Sequence, residues 1–386
     1  MDELQKLKLL SSASLLEAGE DGCRQAAADP NPNAHKGIVV TDACLPNGKV
    51  TRLLKSLLSS YCENNCLYCP FRKGRDFRRA AWQPEEFARM VINLTNAGLI
   101  QGVFLSSGVV NGGVFTQDRL IATAEILRRK LDYRGYLHLK IMPGAQYEQV
   151  VASMRLADRV SINLEAPNAY RLPALAPQKR FDDQLYTPLK WVEAIRQRQA
   201  PTRTWKGRWP SSSTQFVVGG AGESDIELLE VTQTLHRQYG LRRAYYSAFK
   251  PQYDTPLESH DPVPLKRELR LYQADYLIRD YGFSREELVF DRQENLPLEH
   301  DPKEAWAMQR LSEHPLEVNR ASREELLRVP GIGPKGAQAI LKARRWHTLR
   351  DLSSLARIGV NTRRAAGYLL MEGSRPARQL SLFPLE

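Results

Sequence analysis

Three cysteines carry the most specific chemistry in this sequence. Cys62, Cys66 and Cys69 stand in a C-x3-C-x2-C array, followed directly by a proline and an aromatic residue. Three thiolates on one short loop can hold soft metal, either zinc or an iron–sulfur cluster. A structural zinc site wants four ligands, usually from two separated pairs, and no second C-x2-C occurs downstream. A [4Fe–4S] cluster has four irons, so three cysteines leave one iron without a protein ligand and open to a small chelating molecule. A zinc knuckle, or three unrelated thiols, stands as the alternative at this level. Cys23 and Cys44 read as structural thiols.

The elements that must position this loop follow from periodicity. Beyond residue 50, apolar runs alternate with polar, periodic segments, the pattern of βα units around a parallel sheet. Strands are expected at 51–58, 102–108, 136–142, 159–165, 214–220 and 243–249, and the cysteine loop falls just past the first. Helices are expected over 84–97, opened by Pro84 with Glu85 and Glu86 behind it, and around 118–130. Six units fit an α/β fold with a partial (β/α)6 TIM-type barrel better than a complete eight-fold one. Ahead of the barrel, a helix over 4–16 and a short strand over 38–41 belong to an N-terminal extension, residues 1–50. Residues 166–210, rich in Pro and Arg, read as a long connection serving as a lid or part of the substrate mouth. Further helical segments fall at 265–281 and 284–288, and Pro297 to Asp301 reads as a linker. The barrel is thus placed at 51–300, a small all-α domain at 301–374 and a flexible tail at 375–386.

The cysteine loop, down to Tyr68 directly before the third cysteine, resembles the signature of the radical S-adenosylmethionine (SAM) superfamily. That resemblance implies a [4Fe–4S] cluster whose open iron is chelated by the amino and carboxylate groups of SAM. It also implies a low-potential, flavodoxin- or ferredoxin-like electron donor, and a 5′-deoxyadenosyl radical that abstracts hydrogen from a substrate. Parallel barrels meet their ligands at the C-terminal ends of strands. There, Ser106, Ser107 and Gly108 resemble the small-residue motif that contacts the methionine amine, with the glycine allowing close backbone approach. Lys140 closes the third strand and could pair with the SAM carboxylate. Ser161, Asn163 and Glu165 alternate along the fourth strand and so share a face, toward ribose and amine if that face is the interior. Gln215, with Gly219 and Gly220 beyond it, is placed on the adenine side, and Glu223 near the next helix.

The C-terminal region concentrates charge. Residues 316–378 hold eleven Arg and two Lys against five acids, a net +8 within the chain's +11. Ser322 and Glu325 form a capping box ahead of Leu326 and Leu327. The segment Gly331-Ile-Gly-Pro-Lys-Gly336 matches G-x-G-x-x-G, but a helix precedes it and no acid follows at the nucleotide-binding distance, so the dinucleotide reading fails. Helix, glycine hairpin, helix resembles instead the helix-hairpin-helix of DNA repair proteins, whose hairpin amides receive a backbone phosphate. Gly331, Gly333, Lys335, Gly336, Arg344 and Arg345 are the candidate DNA contacts. Residues 348–373, with Arg357-Ile-Gly-Val-Asn, look like a degenerate second copy that adds Arg363 and Arg364. A basic helical bundle with a merely solvated face is the alternative.

Taken together, residues 38–373 resemble a narrower family, the DNA modification or repair radical SAM proteins linked to a uracil-DNA-glycosylase-like partner. The motifs include Leu54-Lys-Ser-Leu-Leu, Leu105-Ser-Ser-Gly, Leu137-His-Leu-Lys-Ile-Met-Pro-Gly, Ser161-Ile-Asn-Leu-Glu, Leu175-Ala-Pro-Gln-Lys, Tyr245-Tyr-Ser-Ala-Phe and Val329-Pro-Gly-Ile-Gly. The resemblance implies radical chemistry on duplex DNA, without sequence preference. Modification of tRNA or other RNA is a second reading, a glycosylase/lyase with Lys335 as nucleophile a third, and a non-catalytic adaptor a fourth. In the tail, Gln379-Leu-Ser-Leu-Phe383 resembles the peptide by which repair enzymes dock on the bacterial sliding clamp, with Gln379, Leu380, Leu382 and Phe383 as contacts.

Composition sets the outer bounds. With 386 residues the chain has room for two or three domains and a sizeable core. A net charge of +11 favours an acidic partner, nucleic acid before membrane. No apolar run reaches the length needed to span a bilayer, and the acidic N-terminus is unlike a secretory signal. Few, clustered cysteines argue for a reducing compartment, so the expected location is cytoplasmic and nucleoid-associated.

Overall fold

The computed structural model describes residues 1–13, 40–44 and 50–376. The clamp-like stretch 379–383, Cys23 and the end of the expected first helix lie outside the described residues. Packing divides the chain into two compact units, one ending at Pro264 and the other beginning at Leu265, with residues 224–233 grouped with the second.

The first unit opens with helix α1, Glu3–Ala13, and strand β1, Val40–Cys44. Strand β2, Val50–Leu57, leads through the cysteine loop to helix α2, Pro84–Asn96. Then follow β3 (Gly102–Ser106), α3 (Gly112–Glu125), β4 (Tyr136–Lys140), α4 (Tyr147–Leu156) and β5 (Arg159–Ser161). The remaining elements are α5 (Thr187–Arg198), β6 (Ser211–Val218), α6 (Asp225–Tyr239, whose residues up to Gln233 group with the second unit) and β7 (Arg243–Ala248). The strands form one seven-stranded sheet in chain order, a curled half-barrel. Strands β2 to β7 run parallel, while β1 adds itself antiparallel to β2 at the edge. The six parallel strands overlap the six expected from the hydrophobic pattern, and β1 adds a seventh to the sheet.

Two stretches differ from expectation for local reasons. Helix α3 starts six residues before Asp118, because Asn111 and Gly112 turn the chain at φ 53° and 86° and a Cβ on Gly113 would lie 1.8 Å from the Pro143 carbonyl. Those small residues look like loop and are in fact a close-packed helix start. The 166–210 connection is more regular than its composition suggests: it carries α5, whose Leu189, Val192 and Ile195 are buried at helical spacing. Prolines at 188 and 201 masked the period, yet Pro188 sits in the first turn, where the missing N–H costs nothing.

Register defines the two faces of the sheet. Lys140 stands beside Ser161, Ser161 beside Ser213 and Ser213 beside Arg243, so one face carries a polar row. The opposite face is apolar, with Val103, Leu105, Leu137, Leu139, Val160 and Ile162 all buried. Right-handed crossovers place helices over that apolar face and leave the polar face to line the concave side.

The second unit contains α7 (Leu265–Asp280), α8 (Pro302–Arg310), strand β8 (Leu316–Glu317), α9 (Arg323–Arg328), α10 (Pro334–Ala343), α11 (Leu352–Arg357), α12 (Thr362–Ala365) and strand β9 (Leu369–Leu370). The capping box closes in both directions, Glu325 N–H donating to Ser322 Oγ at 3.1 Å and Ser322 N–H to Glu325 at 2.7 Å. The region is not purely helical, because β8 and β9 pair in parallel and bring its two ends together. Leu326, Leu327, Ile332, Ile340, Leu355 and Val360 share one buried core.

Candidate functional site

The cysteine loop leaves β2 and is fastened mainly through its backbone. Arg79 donates to four of its carbonyls: Nη1 reaches Ser60 at 2.6 Å and Phe71 at 3.0 Å, and Nη2 reaches Arg72 at 2.8 Å and Arg75 at 3.2 Å. Arg75 donates to the Pro70 carbonyl at 2.8 Å. Arg75 also reaches the Tyr253 carbonyl beyond β7 at 3.1 Å, so the loops after the first and last parallel strands meet. Glu63 N–H donates to the Val109 carbonyl, and the Glu63 carboxylate accepts from Gly112 N–H at 2.9 Å. From the other side, Leu67 N–H donates to the Leu175 carbonyl at 2.7 Å and Asn65 N–H to Gln178 at 3.2 Å.

Gly108 is required by this packing. A Cβ there would stand 2.1 Å from the Tyr61 carbonyl and 3.1 Å from Cys62 Cβ. Its bare α-carbon lets the cysteine loop, rather than only a ligand, approach the end of β3.

Cys62, Cys66 and Cys69 are free thiols, Cys66 buried and the other two half-buried. Burial pushes the Cys66 thiol up, Lys179 opposes this, and Glu165 and Cys62 add to it. Burial and the neighbouring Cys66 push Cys69 up as well. The Tyr68 phenol is held well above its usual range, first by burial and then by Glu165 and the two nearest cysteines.

Lys179 closes the Leu175-Ala-Pro-Gln-Lys motif. Its ammonium bonds Glu165 Oε1 at 3.0 Å, with side-chain exposures of 10% and 4%. Burial works against that charge, but Cys66 and Glu165 outweigh it and keep Lys179 protonated. Glu165 itself sits at φ 65°, an unusual backbone for a side-chain-bearing residue. It is pinned there because its N–H donates to the Gln215 carbonyl at 3.0 Å and its carbonyl accepts from Val217 at 2.8 Å.

The other strand-end residues fall on the polar face. Ser161 Oγ lies 2.8 Å from His138 Nε2, and Asn163 donates to Gln215 Oε1 at 3.4 Å. Lys140 is buried with its ammonium 5.8 Å from the Phe104 ring centre. Ser106 and Ser107 are buried at the end of β3, where Ser107 Oγ donates to the Gly108 carbonyl. His138 precedes Lys140 by two residues, and strand alternation was the signal that puts it on the same face.

In the second unit the first hairpin lies between α9 and α10. Gly331 turns at φ 84°, and a Cβ there would meet the Asn361 carbonyl at 2.3 Å. Asn361 N–H in turn donates to the Gly331 carbonyl at 3.1 Å, which docks the shorter second hairpin on the first. Lys303 Nζ donates to the Ile332 carbonyl at 2.6 Å. The hairpin carbonyls are therefore tied down. Among the described residues, no backbone acceptor is found for the amides of Gly333, Lys335 and Gly336 at the start of α10. Lys335, Arg345 and Arg363 are exposed. Arg344 instead donates to the Val318 and Ala321 carbonyls, and Arg364 pairs with Asp301 and Glu304.

These observations agree with comparisons against known proteins. Residues 56–235 match the Radical SAM superfamily, and residues 312–369 match the helix-hairpin-helix motif. The chain therefore carries a radical SAM domain and a helix-hairpin-helix region. No curated protein matches it. Similar solved structures include methylornithine synthase PylB, with 15% identity over 59% of this chain and 63% of that one at a TM-score of 0.45. The hydrogenase maturase HydG from Carboxydothermus hydrogenoformans shows 16% identity over 59% of this chain and 51% of its own, also at 0.45. A radical SAM methyltransferase from Sphaerobacter thermophilus shows 14% identity over 61% and 69%, at 0.42. This chain thus spans about half to two-thirds of the length of the first two.

Members of the superfamily use a [4Fe–4S] cluster and SAM, and the residues present fit both. Among the described residues, no three His, Cys, Asp or Glu side chains converge on a single ion. A cluster does not ask them to, because each cysteine meets a different iron. Cys62, Cys66 and Cys69 would hold the cluster. Glu165 Oε2, buried with no hydrogen-bond donor among the described residues, leaves an acceptor on the concave side for a polar ligand such as SAM.

Proposed function

We propose that this protein is a radical SAM enzyme that modifies or repairs DNA. The observation that carries this reading is the first hairpin, where the Gly331 and Ile332 carbonyls are taken up internally, the Gly333 and Lys335 amides have no backbone acceptor among the described residues, and the Lys335 side chain is exposed. That arrangement suits a backbone phosphate. The local excess of positive charge supports the same partner.

The mouth of the half-barrel supports a polyanion as well. Tyr170 and Tyr253, in the loops after β5 and β7, are 85% and 82% exposed. Arg171 lies over the Tyr170 ring at 5.6 Å, and Lys73 and Lys250 are exposed on loops at that end. Aromatic faces beside cations suit unstacked bases on a phosphate backbone. When bound, the cluster and SAM supply a 5′-deoxyadenosyl radical able to abstract hydrogen. The residues described here position the cysteines, exclude water from Cys66 and present polar groups along β4, β5 and β6.

Three partners belong to the same proposal. Gln379, Leu380, Leu382 and Phe383 would dock the enzyme on the sliding clamp. A flavodoxin- or ferredoxin-like protein would supply the electron, and a uracil-DNA-glycosylase-like protein would act on the same lesions. The functional test is anaerobic incubation of the reconstituted enzyme with SAM, reductant and defined damaged duplexes, followed by nucleoside mass spectrometry. A SAM- and cluster-dependent new or lost nucleoside is expected. Unchanged DNA beside altered tRNA would replace the DNA reading with the RNA one.

A further inference from the structure

Lys179 and Glu165 form a buried ion pair, and Lys179 lies on the segment that bonds the cysteine loop at Leu67 and Asn65. The two charges act on the Cys66 thiol in opposite directions. Such a pair is costly to bury unless geometry and neighbouring charge repay it. Here the geometry is built from three separate connections. Leu175 and Gln178 anchor the Lys179 turn to the backbone of Leu67 and Asn65, and β6 holds Glu165 in its left-handed conformation. A residue held in a sparsely populated region by this much surrounding structure marks a place where orientation matters.

We propose that the Lys179–Glu165 pair sets the reduction potential of the cluster held by Cys62, Cys66 and Cys69. Reduction adds one negative charge to the cluster. A buried ammonium nearby favours that reduced state, and a buried carboxylate nearby disfavours it. Lys179 is on this account a positioning residue that acts through its charge. The inference rests on the cluster site alone and stands whether or not the substrate is DNA.

The test is redox titration of reconstituted full-length protein without SAM, followed by the electron paramagnetic resonance signal of the reduced cluster, with iron content measured in parallel. Lys179→Met is expected to shift the midpoint potential downward and Glu165→Gln upward, with Lys179→Arg close to wild type. A purely structural clasp would not give shifts of opposite sign. Unshifted potentials in both variants at full iron content, or shifts in the same direction, would overturn the proposal. Where Lys179→Met fails to hold a cluster, Glu165→Gln and Lys179→Arg still decide it, and cluster loss from all three would reduce the pair to a clasp.

Discussion

The cysteine loop and the first glycine hairpin solve a similar problem with different cations. Each is a short loop whose carbonyls accept hydrogen bonds from a neighbouring cation. In the cysteine loop the work falls to Arg79, a guanidinium that donates to four carbonyls and stays charged at any ordinary pH although burial lowers its pKa. In the hairpin it falls to Lys303, donating to Ile332, with Asn361 holding Gly331. Burial and the nearby Arg364 and Arg328 bring Lys303 down to about 7, against the opposing pull of Asp301. One fastening is indifferent to pH, and the other is set to respond.

The largest expected effect follows from Arg79. Arg79→Met strands four carbonyls and should cost about 4 kcal/mol, at ~1 kcal/mol per hydrogen bond. Iron content after reconstitution should collapse while DNA binding persists. Retained iron would show that the loop is fastened elsewhere.

Two glycines sharpen the contrast. Gly331→Ala puts a Cβ against the Asn361 carbonyl at φ 84° and should cost about 2–3 kcal/mol from left-handed strain and overpacking. It should weaken DNA binding and leave the cluster intact. Gly108→Ala, aimed at the Tyr61 carbonyl, should cost about 1–3 kcal/mol and do the reverse. Iron analysis and an anisotropy titration on both variants check this crossed pattern.

The pH response has a definite sign. An unfolded lysine keeps its proton to its ordinary value of 10.5, whereas folded Lys303 releases it near 7. Between those values the unfolded state binds more protons, so stability rises with pH through that window. Urea denaturation at pH 7, 8 and 9 should show the increase in the wild type and a flatter profile in Lys303→Met.

The smallest effects are single phosphate contacts. Lys335→Gln and Arg363→Gln should each lower the salt dependence of duplex binding by about one unit of slope. Arg344→Gln should leave that slope unchanged, because its guanidinium is taken up by Val318 and Ala321.

These cases show what the sequence could and could not convey. The parallel strands and the cysteine loop were legible because alternation and motif spacing are local properties. The capping box at Ser322 was legible for the same reason. The Lys179–Glu165 pair was not, since it depends on a turn folding back onto the strand end fourteen residues earlier. The sequence alone suggests that Gly108 lets a ligand approach, whereas a neighbouring loop already requires it. Positive charge identified the second unit as basic, but could not tell that Arg364, exposed like Arg363, would be held by Asp301 and Glu304.

The central claim is hydrogen abstraction from DNA, and isotope transfer tests it most directly. The reconstituted enzyme is incubated anaerobically with SAM, reductant and a duplex carrying deuterium at its carbon-bound positions, and the 5′-deoxyadenosine formed is weighed by mass spectrometry. The account predicts deuterium in that product, lost when Cys66 is replaced by Ala. Unlabelled 5′-deoxyadenosine from enzyme saturated with the deuterated duplex would contradict it.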